Sequence, residues 1–209
     1  FAITGSSIFG NQVFNLQSLS GSSNSRFVDP VILNNKVIFT PFSASSSTGL
    51  GVEPYSMDLL NFSNSGVLFD VRTGLLSSDP RNFTVLGNNA FFSANDGING
   101  RELWKTDGSP VGTSLYLDLN SGIADGAPDN LNVLGAQLTF AATHATLGRE
   151  LFKTNGTGSL VLIKDINTSG DSNPTNVTLI GGGILYFSAD NGTNGQELWS
   201  SNGNNSGTN

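Results

Sequence analysis

The sequence predicts an all-β fold, a four-bladed β-propeller built from four-stranded repeats of about 48 residues, and three observations predict it. Glu102-Leu103-Trp104-Lys105-Thr106-Asp107-Gly108 returns as Glu150-Leu151-Phe152-Lys153-Thr154-Asn155-Gly156 and as Glu197-Leu198-Trp199-Ser200-Ser201-Asn202-Gly203, and it fades into Glu53-Pro54-Tyr55-Ser56-Met57-Asp58. The four glutamates, at 53, 102, 150 and 197, are spaced by 49, 48 and 47 residues. A repeat of that length is one supersecondary unit that cannot bury its own apolar face, so neighbours must stack. The intervals are short runs of β-branched and aromatic residues bounded by Gly, Asn or Asp, which is the pattern of strands and tight turns. Composition agrees: 37% hydrophobic and only 12% charged residues in 209, with Gly, Ser, Asn and Thr between the runs, is turn-rich β composition rather than disorder.

Aligned on Pro30, Pro80, Pro128 and Pro174, the repeats fall at about 29–79, 80–127, 128–173 and 174–209 within a single expected domain, 1–209. The first departs from the pattern. Pro54 stands where the others have Leu, Pro41 follows the second run, and the Ser-rich loop 43–51 is expanded; Pro54 removes a ladder donor and suits an edge or bulge. In the second repeat the strands are expected at 82–86, 90–94, 102–106 and 114–118, and in the third at 131–134, 138–142, 150–154 and 159–165. The fourth offers 176–180, 184–189 and 197–201. Gly87-Asn88-Asn89, Gly135-Ala136 and Gly181-Gly182-Gly183 join first to second strands, and Asp107-Gly108, Asn155-Gly156 and Asn202-Gly203 stand between third and fourth. Asx-Gly pairs tolerate positive φ and predict tight hairpins there.

The fourth repeat stops where its last strand should begin, since Gly207-Thr208 matches Gly112-Thr113. Segment 11–17, with Val13, Phe14 and Leu16, precedes the first Pro and reads as an orphan fourth strand. Joining orphan to gap completes four blades and removes two exposed sheet edges. The pairing is expected either within one chain or between copies, and the second option propagates a head-to-tail filament.

Charge and composition exclude several functions. Sixteen acidic against nine basic residues give a net charge of −7, with no Lys/Arg cluster to hold a nucleic-acid backbone or an anionic membrane. There is no cysteine, so neither disulfides nor a thiolate site exist. No stretch approaches the roughly 20 apolar residues of a membrane span. A chain that begins at Phe1 reads as a processed protein or a piece of a longer one, and its composition as that of an exported or surface protein.

Residues 94–108, with Gly112-Thr113 and Asp118, resemble the Glu-Leu-Trp…Asp-Gly-Thr repeats of large secreted bacterial proteins, sometimes labelled hyalin-like. The match covers about residues 29–209, strongest in the second and fourth repeats and weakest in the first. The resemblance implies propeller-like architecture and an extracellular or cell-surface location, and it carries no catalytic residue over.

The recurring Glu53, Glu102, Glu150 and Glu197 have two readings: a ring of carboxylates holding Ca2+ through hard oxygen ligands, or strand-initial acceptors for turn amides. The second is favoured. Asp125 and Asp171, in Asp-rich joints, lack the alternating spacing of a calcium loop and suit turns, as do Asp70, Asp118 and Asp165. Arg101 and Arg149, before two of the glutamates, read as positional partners. Trp104, Trp199, Phe152 and Tyr55 share one register and could stack on sugar faces, but packing between blades is the expected role. Seven Asn-x-Ser/Thr triplets begin at Asn61, Asn82, Asn155, Asn167, Asn176, Asn191 and Asn204. The single histidine, His144, sits in a Thr-His-Ala loop without a nucleophile elbow. The expected function is therefore a non-enzymatic extracellular building block, self-associating into a surface filament, sheath or adhesive layer. The alternative is a lectin-like module that binds glycans or other surface proteins.

Overall fold

The computed structural model describes residues 6–9, 12–15, 27–41 and 49–209, with side chains for 28–41 and 49–209. Among them the chain is all-β, and its helical elements are two three-residue 3-10 turns, Phe62–Asn64 and Asn205–Gly207. β1 (Ser6–Phe9) and β2 (Gln12–Asn15) form a hairpin. Four antiparallel sheets follow in chain order. The first is β3 (Phe27–Leu33), β4 (Lys36–Pro41), β5 (Tyr55–Asp58) and β6 (Gly66–Val67), paired sequentially. The second is β7 (Arg81–Leu86), β8 (Asn89–Asn95), β9 (Arg101–Thr106) and β10 (Ser114–Leu117); the third is β11 (Asp129–Leu134), β12 (Gln137–His144), β13 (Gly148–Thr154) and β14 (Val161–Lys164). The fourth holds three strands, β15 (Thr175–Ile180), β16 (Ile184–Asp190) and β17 (Gln196–Ser201). Every run expected in the last three repeats lies within two residues of an observed strand at each end. The fourth run of the third repeat, expected from 159, begins at Val161.

The chain divides into two compact units, 1–97 with 105–114 and 98–104 with 115–209. In the first, β3 lies against β7, and Val37, Phe39 and Met57 form a buried cluster with Tyr55 and Leu59 packed on it. In the second, β11 lies against β15. Leu151 and Ile163 of the third sheet meet Val177, Leu185 and Phe187 of the fourth in one buried cluster. These two sheets thus share apolar residues, as stacked repeats require.

Each first strand carries a bulge built on an Asx residue. The register slips between Arg81 and Thr84, Asp129 and Asn132, and Thr175 and Thr178, and Asn82, Asn130 and Asn176 sit there at φ 60°, 51° and 56°. Asn tolerates this left-handed region better than other non-glycine residues because its short amide can bond locally. In the first sheet the slip lies between Val28 and Val31, and Asp29 at φ 51° takes the asparagine's place. That corrects the proline alignment. Pro30 corresponds structurally to Phe83, three positions along from Pro80, because the first repeat is three residues shorter between its proline and its hairpin turn.

The Asx-Gly pairs do not make tight hairpins. Thr106 and Ser114 are separated by a seven-residue loop in which Asp107 Oδ1 accepts from the N–H and hydroxyl of Ser109, while Thr106 Oγ1 accepts from Gly108 N–H. Thr106 and Thr113 close the loop hydroxyl to hydroxyl at 2.7 Å. The same loop recurs as Ser201 to Thr208, again closed at 2.7 Å. Asp107 bends the chain through its side chain, an Asx turn. Pro54 precedes β5, which begins at Tyr55, so the first repeat's third strand is shortened rather than bulged.

Of the two expected pairings of the N-terminal strand, the one within a single chain is not made. Val13 pairs with Ile8 and Phe14 with Ser7, in a two-stranded sheet separate from the fourth. Leu16 lies outside the described residues. An adjacent strand four residues long, Ser6–Phe9, is the partner that repeat arithmetic overlooks. Among the described residues the fourth sheet has three strands, and Thr208 and Asn209 bridge back to Ser201 and Ser200.

Candidate functional site

The residues that recur most faithfully, the glutamates, sit where one repeat hands the chain to the next. Each lies within the first three residues of its third strand or two residues before it, and each buried one accepts from at least two backbone N–H groups of the connector that follows its own sheet. Glu102 takes Leu119 N–H and Gly126 N–H, both at 2.7 Å. Glu53 takes Val71 and Ser78, both at 2.9 Å, and Arg72 at 3.3 Å. Glu150 takes Ile166 at 3.2 Å and Ser172 at 2.9 Å, and the Ser172 hydroxyl donates as well. The first donor always follows the Asp that ends the fourth run, and the second always stands two residues before a proline.

The residue before each glutamate is held too. Arg101 N–H donates to Asp125 Oδ1 at 2.6 Å, Arg149 N–H to Asp171 Oδ1 at 2.7 Å, and Val52 N–H to Ser77 Oγ at 2.8 Å. The connector returns the bond, Ala127 N–H to Arg101 O at 2.9 Å and Asn173 N–H to Arg149 O at 3.2 Å. The Asp-rich joints are thus latch parts whose carboxylates face backbone donors. Arg149 also pairs with Asp129 at 2.7 Å.

Glu53, Glu102 and Glu150 are fully buried. Burial pushes all three carboxyls above the ordinary glutamate value, against the amides that favour the charged form; Glu102, with the like charge of Asp118 nearby, is raised to about 7. Their oxygens are committed to main-chain donors and closed to solvent, so they offer no open face for acid–base chemistry on a substrate. Among the described residues, no three His, Asp or Glu side chains gather as cation ligands.

Glu197 is different. It is exposed, and among the described residues nothing donates to it. Its neighbour Leu198 is 76% exposed, whereas the equivalent Leu103 and Leu151 are fully buried. Tyr186 and Ile180, on the same face of the fourth sheet by their pairing with Ser200 and Ile184, are exposed as well. Leu151 shows what normally covers this face, because it is buried against the sheet that comes next.

The aromatic register is mostly interior. Phe152 is fully buried, stacked 6.4 Å from Phe140, and Trp104 is 6% exposed, so neither ring presents a face on which a sugar could stack. That removes half of the candidate glycan set. Tyr55 is half-buried beside Phe39, with ring centroids 5.3 Å apart. Trp199 is half-buried, donates Nε1–H to Ala189 O, and carries Lys164 Nζ 5.6 Å from its ring centroid. His144 ends β12 rather than lying in a loop, and its Nδ1 faces Thr146. Four of the Asn-x-Ser/Thr triplets, at Asn61, Asn155, Asn167 and Asn191, are Asx turns in which the asparagine accepts from the residue two ahead. Asp70 likewise accepts from Gly74.

No protein-family model matches the sequence, and no curated protein matches it. Solved structures do match the fold. A puromycin hydrolase S511A mutant complexed with PGG shares 14% identity over 92% of this chain at a TM-score of 0.55. A puromycin-hydrolyzing peptidase from Mycobacterium tuberculosis shares 11% over 92% at 0.55, and a putative TolB from Agrobacterium tumefaciens 13% over 88% at 0.50. The chain spans 32% of the first two and 61% of the third. At these identities the likeness concerns fold alone, and that fold is propeller-like.

Proposed function

We propose that this chain is a non-enzymatic structural module, a four-bladed propeller-like array from exported bacterial surface material, which assembles through its fourth sheet. The resemblance to the Glu-Leu-Trp…Asp-Gly-Thr repeats and the acidic, cysteine-free composition support the setting. The observation that carries the reading is the contrast between Leu151, buried by the next sheet, and Leu198, 76% exposed at the equivalent position. An exposed apolar sheet face is a surface that association would cover. Self-association into a filament, sheath or adhesive layer follows from a heterologous contact that does not close.

Sedimentation velocity and negative-stain microscopy on the wild-type chain and on Leu198→Asp test this. The expected result is concentration-dependent oligomers of wild type and a monomeric variant with unchanged circular dichroism. A wild-type chain that stays monomeric into the high micromolar range removes the assembly role.

A further inference from the structure

The first repeat lacks an ion pair that the third one has, and a cavity opens at the two positions that would carry it. In the third repeat Arg149, just before the buried glutamate, pairs at 2.7 Å with Asp129, just before the bulge asparagine, and its guanidinium also donates to Ala127 O at 3.1 Å. The equivalent positions in the first repeat are Val52, before Glu53, and Val28, before Asp29. Two short apolar side chains do not reach across the space that a guanidinium and a carboxylate bridge. The first unit accordingly holds a cavity of about 290 Å3 between the start of β3, the end of β4, Val52 and the connector 79–81.

Its walls are apolar, formed by Val28, Pro41, Val52 and Pro80, and the hydroxyl beside them, Thr40 Oγ1, is spent on Pro80 O. Charge comes from the residues on either side of Pro80. Asp79 and Arg81 both line the cavity and are both exposed, and among the described residues no carboxylate pairs with Arg81. The volume stands at the lower limit of small-molecule sites, so it suits a compact body of a few carbons. Opposite charges two residues apart at the mouth of an apolar cavity fit a zwitterion with an aliphatic tail. We propose that this cavity binds a free aliphatic α-amino acid of the leucine and valine class. The ligand's side chain displaces water from the valines and prolines, its carboxylate takes the Arg81 guanidinium, and its ammonium donates to the Asp79 carboxylate. A peptide terminus brings only one of the two charges and a neutral sugar brings neither, so the charge pair selects the free amino acid.

The cavity lies wholly within the first unit and owes nothing to the fourth sheet, so the assembly reading stands or falls separately. The test is an NMR titration of the 15N-labelled full chain with L-leucine. The expected result is saturating shifts of the Val28, Val52 and Arg81 amides below about 5 mM. 4-Methylpentanoate and 3-methylbutylamine, each missing one charge of the zwitterion, bind about tenfold more weakly, because each loses a charge-assisted bond. Arg81→Gln and Asp79→Asn weaken leucine by about the same factor. Both residues are exposed, and asparagine accepts the φ of 46° at position 79, as Asn173 does at the equivalent place with φ 47°, so both variants fold. Val28→Asp combined with Val52→Arg, which installs the third repeat's pair, abolishes binding. No saturating shifts, shifts confined to other parts of the chain, equal binding of 4-methylpentanoate, or a leucine affinity unchanged by any of these substitutions overturns the proposal.

Discussion

Glu102 and Gly126, 24 residues apart, meet through a 2.7 Å hydrogen bond from the glycine N–H to the carboxylate. That bond closes the second repeat's connector onto its own third strand, and the bond from Leu119 N–H makes the clasp bidentate. Two buried N–H donors depend on one side chain. Replacing Glu102 by Ala is expected to cost about 1–3 kcal/mol, because it leaves both donors unsatisfied. Urea denaturation at pH 7 checks it.

The same carboxyl makes stability depend on pH with a definite sign. Burial, the largest cause, raises Glu102 from 4.5 to about 7 in the folded chain. A raised folded value means that the native state binds the proton more tightly than the unfolded one. The contribution is fully present below about 4.5 and is lost as pH rises through about 7. Glu53 and Glu150 are shifted in the same direction and add to it. The thermal midpoint is expected to fall between pH 5 and pH 8, with a shallower slope in Glu102→Gln. A wild-type midpoint that is flat, or that rises over this range, contradicts the assignment.

Leucines at one repeat position should differ sharply in what they contribute. Leu151 is fully buried in the cluster joining third and fourth sheets, so Leu151→Ala is expected to cost about 2–5 kcal/mol. Leu198→Ala, at the exposed counterpart, should stay within about 0.5 kcal/mol for the isolated chain. Comparable losses at both sites would mean that the terminal face is covered in solution by something stable.

The loops after the third strands of the second and fourth repeats each constrain a glycine by space rather than by φ. A Cβ on Gly112 would run into the Asp107 carboxylate, and one on Gly207 into the Asn202 side-chain amide. Gly112→Ala must therefore break the Asx turn that Asp107 makes with Ser109 or displace the chain. A loss of about 1–3 kcal/mol is expected. Asp107→Gly in the same molecule should recover part of it, because the colliding atoms are gone; the double-mutant cycle measures that coupling.

The features legible in the sequence were those set by local chemistry. Glutamate spacing and short apolar runs located β7 to β17, and Gly87, Gly135 and the Gly181–Gly183 triplet marked true hairpins. Positions that depend on distant partners were not legible. That the recurring glutamates accept from turn amides is the reading their sequence favours; which amides Glu102 meets, 17 and 24 residues away, is a property of the folded connector that no local pattern gives. Asp107-Gly108 misled because the aspartate commits its side chain to Ser109 instead of taking positive φ. Pro30 misled because proline is permitted both at the bulge and before it. The burial of Trp104 and Phe152 followed from repeat stacking, which the sequence did imply, whereas no described sheet covers Leu198.

The bulge asparagines offer a test in which packing plays little part. Asn176 is exposed at φ 56°, and its side chain is not needed to fill a core. Its role is conformational: the register between Thr175 and Thr178 slips there, and the residue must sit in the left-handed region. A β-branched side chain is penalised in that region by about 1–2 kcal/mol, whereas glycine enters it freely. Asn176→Val is therefore expected to destabilise by roughly that amount, and Asn176→Gly to change stability by less than about 0.5 kcal/mol, the relief of strain offsetting the entropy of the unfolded glycine. Equal losses in the two variants would show that the asparagine amide, and not its backbone angle, holds the bulge.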